Sequence, residues 1–327
     1  MIRSSAIDLL RAPVADDLRH FERTFRDSLA SKVGLLDVVT RYVLRQKGKR
    51  VRPLLVFLSA KACGGVTERT HRGAALVETL HTATLVHDDV VDDADTRRGL
   101  ASINAVWKNK IAVLFGDYLL AKGLLLALDH RDYDFLHCTS TAVRRMSEGE
   151  LLQAQKSRQL DINEETYLQI IGDKTASLLS TCTEVGARSS SENGSWHASF
   201  RTFGEQVGLA FQIRDDILDY RGRRSIIGKP TGLDIKEKKL TLPLIHALRS
   251  GPRPDAAKAL KMVRRGATAR EITWIIDFVE AQGGIDYAES RAAGFADQAR
   301  ASIAGLPESD AKASLLQFVE FVQRRHS

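Results

Sequence analysis

Cysteine, proline and aromatic residues are all scarce in this chain of 327 residues, and each scarcity removes a class of protein. The three cysteines, Cys63, Cys138 and Cys182, stand far apart with no Cys-x-x-Cys spacing. That argues against both a disulfide framework and a zinc site, and predicts reduced core residues. Only seven prolines occur, and none falls between Pro53 and Pro230, so long helices are permitted across that stretch. Aromatics make up 6% of the chain, and its net charge of +7 is spread without a basic arm or block. Nucleic-acid binding is therefore the weaker reading and an anionic small ligand the stronger. No apolar run reaches the ~18 residues of a membrane span. The first residues carry Asp8, Asp16 and Asp17 where a secretory signal or transit peptide would be apolar or acid-poor. A cytoplasmic protein is expected, with peripheral membrane contact left open.

A hydrophobic content of 43% is enough for a substantial core. Apolar residues recur at three-and-four spacing in segments 54–63, 71–95, 111–128, 137–159, 164–187 and 197–220, and again near 255–264, 269–282, 285–304 and 308–325. No sustained alternation demands a sheet, and neither a repeat nor a composition shift divides the chain. The predicted architecture is all-α, one domain over residues 1–327.

Two acidic clusters of identical form stand out: Asp88-Asp89-Val-Val-Asp92 and Asp215-Asp216-Ile-Leu-Asp219. On a helix, positions i and i+4 fall about 40° apart around the axis and about 6 Å apart along it, so each outer pair shares a face. Leu85, Val86, Val90 and Val91 flank the first cluster; Phe211, Ile213, Ile217 and Leu218 flank the second. A solvated acidic face would not sit among such neighbours twice. Carboxylates at an apolar surface need a partner, and oxygen-only ligands point to a hard cation such as Mg²⁺. Because Mg²⁺ shares its shell with phosphate oxygens, the ligand should be phosphorylated and should also meet cations. Two basic loop-like stretches supply them: Lys47 to Pro53, leading into a helix, and Arg221 to Lys239, following the second cluster.

These residues resemble the trans-isoprenyl diphosphate synthases, or polyprenyl synthetases. The motifs are Gly-Lys-Arg-Val-Arg-Pro (48–53), Leu80 to Asp92, Arg97-Arg98-Gly99, Gly116-Asp117, Gly172-Asp173-Lys174-Thr175, Phe211 to Asp219 and Gly228-Lys229-Pro230. One departure is visible. The family usually places Gly-Lys before Leu-Thr-Leu-Pro, whereas Lys238-Lys239 stand there in this chain.

The resemblance implies helices bundled around a central cavity, a homodimer, and head-to-tail condensation of isopentenyl diphosphate onto an allylic diphosphate. It implies about three Mg²⁺ ions held by Asp88, Asp92, Asp215, Asp216 and Asp219. Arg97, Lys174, Lys229 and Lys239 match positions that hold the allylic diphosphate. Lys49, Arg52, His81 and Arg98 match those that hold isopentenyl diphosphate. Thr175 and Gln212 match positions beside the carbocation, and the departing diphosphate is the expected proton acceptor. Asp117 reads as a helix cap outside the site.

Chain length in the family depends on side chains beneath the first cluster. Ala83 and Thr84 are too small to close a tunnel, which suggests a medium or long all-trans product, octaprenyl-like, from farnesyl or geranylgeranyl diphosphate. The deeper floor is left among Val77, Leu80, Phe115, Tyr118 and Leu119. A short-chain synthase is the alternative. A terpene cyclase is disfavoured by the Lys49, Arg52 and Arg98 set, and a non-catalytic subunit by the two intact clusters. His87 beside Asp88 also suggests a metal phosphohydrolase, but no further histidines stand at ligand spacing.

Overall fold

The computed structural model describes residues 2–45, 48, 50–97, 99–221 and 232–324. Lys49, Arg98 and Lys229, with Gly228 and Pro230, lie outside them. Helices carry nearly everything that is described. In chain order these are α1 (Ile2–Arg11), α2 (Ala15–Ser28), α3 (Gly34–Arg45), α4 (Val51–Cys63), α5 (Glu68–Val91), α6 (Ile103–Asp129), α7 (Tyr133–Gln159), α8 (Glu164–Ile171), α9 (Ser177–Ser190), α10 (Gly194–Arg221), α11 (Leu233–Lys236), α12 (Leu242–Ser250), α13 (Arg253–Arg265), α14 (Ala269–Ala281), α15 (Gly284–Ser302) and α16 (Asp310–Arg324). Among the described residues the sheet is one antiparallel pair, β1 (Thr96–Arg97) and β2 (Leu100–Ala101), turned by Gly99 at φ +79°.

The chain forms two compact units: Met1–Thr141 with Thr181–Phe200 and Leu306–Leu315, and Ala142–Ser180 with Arg201–Gly305 and Leu316–Ser327. In the first, α4 is buried all round, Leu54 to Ala60 each being shielded from solvent, as an apolar helix without a polar stripe must be. Helix α5 starts at a capping box in which Thr67 and Thr70 satisfy each other's backbone donors. It packs along α6, where Leu76 and Leu80 join Ala127, Phe135, Cys138 and Val185 in one apolar cluster. In the second unit α12, with Pro243 in its first turn, packs on α13, α14 and α15. All three cysteines are free and buried, and burial pushes each thiol up to about 12. They are inert core residues, as expected.

Helix α6 adds to the membrane reading without an uninterrupted apolar run of spanning length. By length and composition it is apolar enough to cross a membrane, with a mean hydropathy of 1.9 over an 18-residue window. Asp117 and Lys122 interrupt the run residue by residue, but two charges do not lower its average enough to disqualify it. Only 33% of that window is buried. Asp117 is no cap, since it lies inside α6.

Candidate active site

In the first unit, α5 ends at Val91 and Asp92 becomes its C-cap, its N–H donating to the Asp88 carbonyl at 2.8 Å. Asp88 and Asp92 thus stay one turn apart at the exposed end of a helix. Asp89 points elsewhere. It is buried and accepts from Arg97 Nε at 2.7 Å and from the same guanidinium's Nη2. The middle carboxylate therefore fixes the arginine expected to meet a diphosphate.

Beside this pair is a cavity lined by Arg50, Glu78, His81, Asp89 and Arg97. Glu78 is buried and paired with Arg50 Nη1. Arg52 sits deeper, near Glu78 and Cys182, and burial lowers its pKa despite those neighbours. Its Nε is buried with no hydrogen-bond partner among the described residues. An orphaned guanidinium donor of this kind is completed by an anion. On the other side of α5, the His87 ring occupies the place where a Gly116 side chain would be, with Nε2 3.2 Å from the Val113 carbonyl and 3.5 Å from Asp117. Gly116 is there because an added Cβ would come within 2.1 Å of that ring. His87 serves helix packing.

The second unit carries the other cluster on α10. Asp215 is half-buried. Asp216 is buried, and both its oxygens are engaged: Tyr167 Oη donates to Oδ2 at 2.7 Å and Gln212 Nε2 to Oδ1 at 2.8 Å. Burial pushes Asp216 up to about 7, with repulsion from Asp234 adding to the shift. Asp219 accepts the Leu233 and Asp234 N–H groups, each at 3.1 Å, which pins α11 against α10. Burial still raises its pKa. Asp234 is pushed up to about 6 by burial and by Asp219, against the pull of Lys239 and Lys174.

Lys174 and Thr175 lie on a π-helical segment, Gly172–Ala176, between α8 and α9. The wider turn is held from α7. Arg145 donates to Asp173 at 2.7 Å and to both Glu205 oxygens at 2.7 and 3.2 Å. Gly149 lets α7 come close, since a Cβ there would lie 2.9 Å from the Asp173 Cβ and 3.1 Å from the Lys174 nitrogen. Lys174 Nζ meets Glu150 at 2.5 Å and Gln153 Oε1 at 3.4 Å, and Thr175 donates to Gln212 at 3.0 Å. A single cavity is lined by Gln153, Lys174, Thr175, Gln212, Asp216, Asp234 and Lys239, with Ile162 and Leu240 in its wall.

Of the residues expected at the site, Lys174, Thr175, Gln212, Asp216 and Lys239 are brought together in this cavity, and His81 with Arg97 in the first unit's. Sequence reasoning missed Tyr167, 49 residues from the aspartate it holds, along with Glu78, Arg145 and Asp234. Only Asp234 left a signal, as one of two acids, with Glu237, inside the basic stretch from Arg221 to Lys239. Among the described residues no group of three His, Cys, Asp or Glu is close enough to hold a metal unaided. The donor set nevertheless fits a hard cation. Asp216, Asp219 and Asp234 are carboxylates raised together by burial, and a divalent ion accompanied by phosphate and water would relieve that strain.

A family model described as Polyprenyl synthetase matches residues 33–279. The chain is 38% identical to an all-trans-nonaprenyl-diphosphate synthase (geranyl-diphosphate specific) of Rhodobacter capsulatus, over 96% of both chains. It is 32% identical to the octaprenyl diphosphate synthase of Escherichia coli strain K12, over 95% of this chain and 96% of that one. Among solved structures, the polyprenyl synthase of Caulobacter crescentus CB15, complexed with calcium and isoprenyl diphosphate, superposes with a TM-score of 0.89 at 34% identity over 98% of each chain. The all-α fold, the recurring motifs and these likenesses across the whole length agree: the chain is a prenyltransferase and belongs to the polyprenyl synthetase family.

Proposed function

We propose that this protein extends an allylic diphosphate head to tail with isopentenyl diphosphate, in the presence of Mg²⁺, to a medium or long all-trans product. The observation that carries the reading is a pair of carboxylates one helical turn apart on each of α5 and α10, backed by cationic side chains. Asp88, Asp92 and Asp215 would ligate metal directly, and Asp216 and Asp219, already engaged by protein donors, would join through water or on rearrangement. Mg²⁺ bound there would neutralise the diphosphate as it leaves. Lys174 and Lys239 hold the allylic diphosphate in the cavity that Asp216 lines, and Arg97, fixed by Asp89 in the first unit, is the further cation that the family resemblance assigns to it. Arg52 and His81 receive isopentenyl diphosphate, and the orphaned Arg52 Nε supports that role. Gln212 and Thr175 form a closed hydrogen-bonded pair, which leaves few polar groups aimed at a cation and keeps water from it.

The relatives named above make eight- and nine-unit products, and the small Ala83 and Thr84 agree with such a length. Incubating the purified protein with labelled isopentenyl diphosphate, Mg²⁺ and geranyl, farnesyl or geranylgeranyl diphosphate, then sizing the products, tests the reading. Asp88→Ala and Asp215→Ala should each lower turnover by orders of magnitude. Near-normal turnover in either variant would remove that cluster from the mechanism. Consumption of the allylic substrate alone would instead favour a cyclase. Assembly as a homodimer through the exposed face of α6 completes the proposal.

A further inference from the structure

We propose that the second unit carries another isoprenyl diphosphate site, apart from the cavity of Lys174 and Asp216, whose occupancy acts on Lys239. The class of ligand rests on the function proposed above. The observation is a cavity of about 740 Å³, well within the size of small-molecule pockets. Six aliphatic side chains wall it: Leu160, Ile162, Leu240, Ile245, Leu248 and Leu260. They come from the α7–α8 connection, from the approach to α12 and α12 itself, and from α13. Leu160 adopts φ +55°, a left-handed conformation that costs a non-glycine residue about 1 kcal/mol. The side chain held by that strained turn is buried in the wall.

Six polar residues complete the lining, and most are committed: Asn163 Oδ1 accepts the Thr166 N–H at 2.8 Å and Ser250 donates to the His246 carbonyl at 2.9 Å. Glu164 accepts from Tyr287 Oη at 2.7 Å and pairs with Arg291 at 2.8 Å, so the one carboxylate of the lining is neutralised. His246 stacks on Tyr287 with centroids 4.1 Å apart and planes at 18°. Arg249, three residues further along α12, is exposed and pairs with no carboxylate among the described residues. An apolar cavity with one uncompensated guanidinium selects an amphiphile with an anionic head. Hydrocarbon burial is worth about 25 cal/mol per Å², and a guanidinium binds phosphate oxygens two at a time. An isoprenyl diphosphate has that chemistry. Ile162 and Leu240 also line the cavity that contains Lys174, Asp216 and Lys239. Leu240 directly follows Lys239, so a chain pressed against the shared wall displaces that lysine.

The experiment uses the full chain with Mg²⁺, excess isopentenyl diphosphate to fill its own site, and the unreactive probe farnesyl thiodiphosphate in a calorimetric titration. Two probe molecules should bind per chain. Arg249→Glu, at an exposed position, and Leu260→Trp, which fills the cavity from a half-buried one, should each weaken the second event about tenfold or more. One molecule per wild-type chain, or an unchanged second event in both variants, would overturn the site. Inhibition of condensation by the probe should include a component that added allylic substrate does not relieve, and Arg249→Glu should lack it. Purely competitive inhibition of the wild type would overturn the action on Lys239. Absence of condensation by the wild type would sink the proposed function instead, and the stoichiometry would still decide the site.

Discussion

Asp216 shows how one buried side chain can set the pH behaviour of the fold. Its carboxyl is raised from 3.8 to about 7, chiefly by burial, and Asp234 from 3.8 to about 6. From about pH 4 to about pH 7 the folded chain therefore holds more protons than the unfolded chain, and stability falls as pH rises through that window. Asp216→Asn keeps an acceptor oxygen for Gln212 Nε2 and turns an amide N–H toward the Tyr167 hydroxyl oxygen, while removing the charge. The metal-free variant should gain on the order of 2 kcal/mol above that window and show a shallower decline, read from denaturant midpoints across pH. Parallel curves for variant and wild type would reject this account. Lys238 offers a second residue-scale test. It takes φ +60° at the position where the family usually has glycine, closing α11 with its N–H to the Ile235 carbonyl at 3.1 Å. Lys238→Gly should raise stability by about 0.5–1 kcal/mol, since relief of the left-handed lysine outweighs the added freedom of the unfolded chain. No gain in denaturant midpoint would count against strain there.

At the scale of the element, α5 carries both the metal pair and the residues expected to limit product length. Ala83 is fully buried, Val77 and Leu80 are part of the core, and Leu80 faces Gly123 on α6. Thr84, half-buried, only ties its hydroxyl to the His81 carbonyl at 2.9 Å. Thr84→Phe is therefore the cleaner block: it should shorten the product by reversed-phase chromatography while leaving the first condensation and the melting temperature near wild type. Ala83→Phe should shorten it too, but with a loss of about 1–3 kcal/mol from overpacking. Full-length product from Thr84→Phe would place the floor elsewhere. Helix α5 also shows why part of the site was legible in sequence. Asp88, Asp92 and His81 share an element, and helical spacing is local knowledge. The Asp216–Tyr167 bond joins α10 to α8, and Arg145 holds the π segment from α7, so no local pattern announced either. The membrane-length apolarity of α6 escaped for another reason: it resides in an average, and two charged residues hid it from a reading by runs.

For the whole molecule, assembly turns on the exposed face of α6. Val113, Leu114, Leu124, Leu125 and Leu128 are each at least 40% exposed, more contiguous apolar surface than a solitary soluble chain usually presents. Two occupants compete for it, a bilayer and a second copy. A carboxylate amid a membrane-embedded helix is costly, and Asp117 is 59% exposed within this one. An isologous pair of α6 helices would instead leave Asp117 in reach of water at the margin of the contact. The apolar residues between them would be covered in the same step. Leu125→Glu puts a charge into that contact without touching the core, because Leu125 is 53% exposed. The wild type should sediment at twice the chain mass and Leu125→Glu at the chain mass, with unchanged helical content by circular dichroism. Flotation of wild-type protein with anionic vesicles, lost in Leu125→Glu while both proteins sediment as monomers, would assign the face to lipid. A variant that remains dimeric would move the interface off α6.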